Sequence, residues 1–316
     1  MKHASLTATG KRSASTRMAA AVLGLAALAA AASLVATAPA NASSLTPAGT
    51  SWRTHAHTVD ITGTEYQFSI DTHGTVPAGL VKLHFVNSGS AAHQAQLFRL
   101  NDGVTFAKFV ADLQTNRAQA LFVDSSSAGG VGDLAPGQGG QTIWEAMQGG
   151  TYAVISLVID SNGTPDYVKG MVADFTVSGQ ATPQELAAVH PAGPVAGVIT
   201  ANGLSYSMPP VIRRGALYRY QDTDPTEVHE FLVAQLLPGV TVAAATAWLA
   251  GFATPTGPTT PQPFTLAGGF GGVEPGAGGW IRANMKPGNY VAFDLSPSST
   301  GVPNAALGMV AGFTVK

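Results

Sequence analysis

Cysteine is absent from all 316 residues. No disulfide can form, no thiolate can ligate a metal, and no thiol can act as a nucleophile. Stability must therefore come from packing, and the length suffices for two domains of ordinary size, each with its own core. Charge is also scarce, at 11% Asp, Glu, Lys and Arg, and no basic patch of the kind that holds nucleic acid is visible. Beyond residue 42 no apolar run is long enough to span a membrane. A Gly-x-Ser-x-Gly elbow and a His-Glu-x-x-His zinc motif are missing. Gly268-Gly269-Phe270-Gly271-Gly272 lacks the Lys-Ser/Thr of a phosphate loop and reads as a flexible loop at the end of a sandwich. Without a cluster of His and carboxylates, the expectation is a chain that is not an enzyme.

What is present is turn-forming and apolar: 37 Gly, 20 Pro and 45% hydrophobic residues. That composition suits short strands joined by loops. Residues 1–42 read as a secretory signal peptide. Lys2, Lys11, Arg12 and Arg17 form a basic start, Met18 to Leu34 is apolar, and Ala38-Pro39-Ala40-Asn41-Ala42 offers small residues for cleavage. Its removal leaves 12 Lys and Arg against 18 Asp and Glu, an acidic exported chain with a secreted, extracellular destination.

The remainder repeats itself. Ala92-His93-Gln94-Ala95-Gln96-Leu97 meets Val228-His229-Glu230-Phe231-Leu232-Val233, and Gly103-Val104-Thr105 meets Gly239-Val240-Thr241, both at an offset of 136. Met147 to Tyr152 meets Met285 to Tyr290, and Gly170-Met171-Val172 meets Gly308-Met309-Val310, at an offset of 138. Colinear matches imply duplication, with one domain over 50–180, a linker over 181–191 and a second domain over 192–316. Thr182, Pro183 and Glu185 spell a capping box for a short linker helix.

Within a copy, Val59–Thr62, Tyr66–Ile70 and Leu80–Val86 alternate apolar and polar, as half-buried strands do. Further strands are expected over 96–100, 141–147, 151–158 and 171–177. Val104 to Ala118 changes to helical spacing, as does Val240 to Leu249. Ala128 to Gly140 reads as Gly-rich loop. The fold class is all-β: two tandem Greek-key β-sandwiches, each with a short helix insertion.

The order of features resembles secreted bacterial cupredoxin-like proteins, the blue-copper fold. The resemblance rests on a His-bearing loop after a strand (Phe85-Val86-Asn87 to His93), Pro-Gly loops at Pro136-Gly137 and Pro275-Gly276, Gly-x-Tyr entries at Gly150-Thr151-Tyr152 and Gly288-Asn289-Tyr290, and a closing Gly-Met-Val. It implies a metal set of His, Cys, a second His and an axial Met. Those positions read His93, Ser156, Asp166 and Met171 in the first copy, and His229, Asp294, Asn304 and Met309 in the second. The first His and the Met persist twice; the Cys and second His are replaced twice. The resulting expectation is a secreted, non-enzymatic binding or scaffold protein without blue copper and without a cofactor. Its partner would be an extracellular protein, a cell-wall polymer or a small ligand, met at the sandwich end that carries the His and Met loops and the Gly-rich stretch. The alternative is copper handling through His93, Met171, His229 and Met309, with His55 and His57 as auxiliaries. Asp222-Thr223-Asp224 lacks the remaining calcium-loop residues and reads as a turn. Trp144 and Trp248 are expected in or against the core.

Overall fold

The computed structural model describes residues 55–316 except Ser161 and Pro255. The signal segment expected over 1–42, the terminus Ser43–Ser51 and Trp52 lie outside the described residues. In the N-terminal half the chain forms β1 (His57–Thr64), β2 (Gln67–Asp71), β3 (Val76–Pro77), β4 (Gly79–Asn87), β5 (His93–Leu100), α1 (Phe106–Thr115), α2 (Arg117–Phe122), β6 (Ser125–Leu134), β7 (Gln141–Met147), β8 (Gly150–Ile155) and β9 (Val172–Ser178). Helix α3 (Pro183–Ala188) follows. The C-terminal half contains β10 (Val195–Asn202), β11 (Ser205–Ser207), β12 (Val211–Ile212), β13 (Leu217–Asp222), β14 (His229–Leu236), α4 (Val242–Leu249), β15 (Phe264–Val273), β16 (Gly278–Arg282), β17 (Gly288–Phe293) and β18 (Val310–Val315).

These strands build two sheets that run through both halves, an all-β sandwich. One has the order β11-β10-β13-β16-β7-β4-β1-β2, the other β12-β18-β17-β14-β15-β6-β5-β8-β9-β3. Between them lies one apolar cluster with Val59, Leu83, Phe85, Leu97, Val131, Ile143, Tyr220, Phe231, Phe270 and Tyr290 among its members. Burying each such side chain contributes roughly 1.5–3 kcal/mol, which is how a chain without disulfides holds together. The outer face of the ten-stranded sheet is covered twice. In the N-terminal half α1 and α2 bring Phe109, Leu113, Ala120 and Leu121 onto Phe98 and Leu100. In the C-terminal half α4 brings Ala245 and Leu249 onto Leu232, Phe264 and Phe293.

The helical spacing over Val104–Ala118 yields two helices. Thr105 caps the first by accepting from the Lys108 N–H; Asn116, at φ −145° and ψ 80°, leaves it, and its side chain accepts from the Gln119 N–H to cap the second. The capping box of the linker is present: the Thr182 hydroxyl accepts from the Glu185 N–H, and the Glu185 carboxylate accepts from the Thr182 N–H.

Two expected loops are strands. Ala128–Gly140 contains most of β6, and Gly268–Gly272 lies inside β15. Glycine shows no alternation because it has no side chain, so the strand period was invisible there. The glycines are needed because backbones crowd where β5, β6, β15 and β14 lie side by side. Gly130 and Gly269 have φ of +96° and +124°, and a Cβ on them would sit 2.2 Å from the Ala95 carbonyl oxygen and 2.0 Å from that of Phe231.

The halves meet through strand pairing in both sheets. β6 and β15 run antiparallel, with Val131 opposite Phe270, Leu134 opposite Ala267 and Ala128 opposite Val273. β7 and β16 also run antiparallel, with Trp144 opposite Trp280. Trp144 faces Lys82 on β4, as Trp280 faces Arg219 on β13, so like meets like across a pseudo-twofold axis. Both indoles are nearly buried, with Arg282 and Arg219 over their faces, while Trp248 of α4 packs edge-on to Phe252 and Phe264. Glu145, also on β7, points into the apolar cluster. One carboxyl oxygen accepts from the Gly130 N–H at 2.7 Å, the other has no partner among the described residues, and burial pushes the pKa up to about 8.

Candidate functional site

Each half gathers its four singled-out positions at one end of the sandwich. His93 opens β5, Ser156 follows β8, Asp166 begins a 3-10 turn (Asp166–Lys169), and Met171 precedes β9. The backbone ties the loop shut: Tyr167 N–H donates to Ser156 O, Ser156 N–H to Met171 O, and Met171 N–H to Asp166 O. The His93 imidazole is buried, and its Nδ1 lies 2.8 Å from Asp166 Oδ2. The Ser156 hydroxyl donates to the same oxygen at 2.8 Å and accepts from the Gln94 N–H. Among the described residues Nε2 has no hydrogen-bond partner, and the Glu65 carboxylate lies 3.8 Å from it. Glu65 itself accepts from the N–H groups of Ser90 and Ala91, which pull its pKa down to about 2 and fix the loop that leads to His93. The Tyr66 ring stands edge-on to the imidazole, and Lys169 bonds the Tyr66 hydroxyl and Asp160.

The C-terminal half is built on the same plan. His229 Nδ1 lies 2.6 Å from Asp294 Oδ2, and the Asn304 amide donates to that oxygen at 3.1 Å. Among the described residues Nε2 again has no hydrogen-bond partner, and again a carboxylate lies at 3.8 Å, here Asp224. Asp222 accepts from the His229 N–H. Burial pulls the His229 pKa down, but the carboxylates of Asp294, Asp222 and Asp224 outweigh it and raise the pKa above the usual histidine value. Asp222 is itself pushed up to about 6 by burial, against the N–H groups it accepts from. Asp224 holds the turn as expected, accepting from the N–H groups of Gly203, Thr226 and Glu227. Met171 and Met309 are both fully buried, and Met309 belongs to the central cluster.

The His side chains bond carboxylates, because Asp166 and Asp294 stand where their Nδ1 atoms point. Glu65 was missed: it lies 28 residues before His93 at a hairpin turn, and no spacing rule links them. His55 and His57 join neither site. His55 is exposed, and His57 Nε2 bonds the Thr72 carbonyl. The Gly-rich stretch does not flank the sites as a loop, since it forms the junction strands.

Type 1 copper needs a thiolate and two imidazoles around the ion. Here no Cys exists, one imidazole is present at each site, and its Nδ1 is held by a carboxylate. The donors do not fit that ion. Among the described residues, no group of three or more His, Cys, Asp or Glu is placed to hold a metal.

No family model matches the chain, and no curated protein matches it. Solved structures do resemble it. Reduced auracyanin from the photosynthetic bacterium Roseiflexus castenholzii is 21% identical, covering 39% of this chain and 99% of its own, at a TM-score of 0.26. A multicopper oxidase is 18% identical over 82% of this chain and 88% of its own, at 0.22. A laccase from Botrytis aclada is 13% identical over 83% of this chain and 52% of its own, at 0.22. The expectation that the chain is not an enzyme is corrected by this finding, because oxidases and a laccase are among the structures it resembles. The absent hydrolase, zinc-protease and phosphate-loop motifs test other chemistries and say nothing about redox enzymes. Among the described residues no helix is long and apolar enough to cross a membrane.

Proposed function

We propose that the chain is an exported, duplicated cupredoxin-like protein whose two former copper positions have become internal imidazole–carboxylate locks, and that it serves as an extracellular binding or scaffold module. The observation that supports this most is the capture of Nδ1 in both halves, by Asp166 at 2.8 Å and by Asp294 at 2.6 Å. A nitrogen held by a buried carboxylate ties the closing loop to β5 or β14 and rigidifies the sandwich end. The partner would be an extracellular protein, a cell-wall polymer or a small ligand. It would meet the ends fixed by Glu65 and Asp224 rather than the glycine strands.

Copper handling through His93, Met171, His229 and Met309 is the rival reading, favoured by the unpartnered Nε2 of both imidazoles. Copper(II) added to purified residues 43–316, followed by desalting, metal analysis and a visible spectrum, separates the two. The lock reading expects no retained copper and no blue-copper band. One or two retained equivalents, lost in His93→Ala and His229→Ala, would replace it with copper handling.

A further inference from the structure

Between α4 and β15 the C-terminal half carries Thr254-Pro255-Thr256-Gly257-Pro258-Thr259-Thr260-Pro261-Gln262-Pro263, four Thr and four Pro in ten residues and no charge. The corresponding place in the N-terminal half, between α1 and β6, is occupied by helix α2. Proline fixes φ and removes N–H donors, so this segment cannot form a helix or join a sheet. It is nonetheless pinned. Gly257 and Pro258 are buried, and Pro258 lies against Gly251, where even a Cβ would come within 2.9 Å of the Pro258 Cα. The Thr260 carbonyl accepts from the Trp248 indole N–H at 2.9 Å. At and beside the second anchor Thr259, Thr260 and Pro261 are exposed. The Thr254 hydroxyl donates to Gly251 O. Among the described residues the hydroxyls of Thr259 and Thr260 make no hydrogen bond, so they face solvent with nothing to displace.

We propose that Thr259 and Thr260 are acceptors for O-glycosylation. Exposed Thr set among Pro is the composition of O-glycosylated segments in exported proteins, because it keeps the chain extended and open to a transferase. Beside Thr260 there is a cleft of about 390 Å³ lined by Ala244, Ala247, Trp248, Pro261 and Pro263, with room for a first sugar against an apolar wall. In the transfer the threonine oxygen bonds to the anomeric carbon of a phosphate-activated sugar. The bond from that carbon to the phosphate oxygen breaks, the phosphate leaves with the electron pair, and the hydroxyl proton passes to a base of the transferase.

The inference rests on export. The test is intact mass, with fragmentation to locate the modification, on the full chain recovered from the medium of its own cells, beside T259A/T260A made in the same cells. The expected result is a signal-cleaved chain heavier by whole sugar units, mapped to 259–260 and absent from the double variant, with the thermal midpoint unchanged. A cleaved chain in the medium at its unmodified mass overturns the proposal and leaves export standing. Sugar that persists in the double variant overturns it too. A chain retained in cells with residues 1–42 still attached overturns both.

Discussion

In the N-terminal half the carboxylate on the imidazole comes from the 3-10 turn, as Asp166, and the strand end supplies Ser156. In the C-terminal half the strand end supplies the carboxylate, as Asp294, and the turn supplies Asn304. The outer carboxylate is exchanged as well. Glu65, on the β1–β2 turn, bonds the loop before β5, whereas Asp224, in the loop before β14, bonds the turn after β10. Two different sets of residues thus place an imidazole between a bonded and a more distant carboxylate. What matters at this end of the sandwich is a carboxylate on Nδ1, supplied from either of two adjacent positions.

That comparison can be broken most forcefully at the inner carboxylate. Asp294→Ala leaves a buried imidazole beside other carboxylates without its partner, and should cost about 3–5 kcal/mol in denaturant unfolding. Asp166→Ala should cost as much or slightly less. A loss below about 1 kcal/mol in both would show that neither pair holds the fold. Next come the junction glycines. Gly130→Ala and Gly269→Ala each force a Cβ onto a carbonyl oxygen at positive φ, and each should lose roughly 2–4 kcal/mol. A neutral result at one of them would mean that the junction is not equally tight on its two sides.

Glu145 sharpens the contrast differently, because its counterpart on β16 is Ile281. A buried carboxyl whose pKa is raised to about 8 binds its proton more tightly folded than unfolded. Its contribution is full below the unfolded value and fades as pH rises through about 8, so stability should fall from about pH 5 to pH 8. Burial, with Asp166 adding to it, pushes Asp133 up to about 7, and the raised His229 acts with the same sign. Glu145→Gln should flatten part of this decline, stabilising the protein at pH 8 and changing it little at pH 5. An unchanged pH slope would mean the carboxyl reaches water. The smallest effect belongs to the exchange itself. Ser156→Asp with Asp166→Asn gives the N-terminal half the pattern of the C-terminal half, and should stay within about 1 kcal/mol of the parent protein. A loss matching Asp166→Ala would show that the two positions are not interchangeable.

Much of the scaffold was legible because side-chain periodicity carried it. β1, β2 and β4 alternate, Thr182 announces its helix, and the eight ligand-position residues all reach the two sandwich ends. The glycine strands were not legible, since a strand without side chains has no period and its reason lies in a neighbouring backbone. The break at Asn116 depends on one side chain capping the following helix. The His–carboxylate pairs were hidden in a different way. The resemblance singles out the positions of Asp166 and Asp294, but only folding shows that their carboxylates sit on Nδ1. Glu65 needed tertiary contact to be found at all.

The pairing of β6 with β15 and of β7 with β16 has a bearing on solubility. An unpaired strand border invites addition by other chains. Here two of the longest borders in the molecule are consumed by one another. The sheets end instead on β2, β11, β3 and β12, which are only 5, 3, 2 and 2 residues long. Such short borders offer little template for an intruding strand. Pairing the two halves therefore does more than enlarge the core: it conceals the borders through which either half alone would be most prone to aggregate.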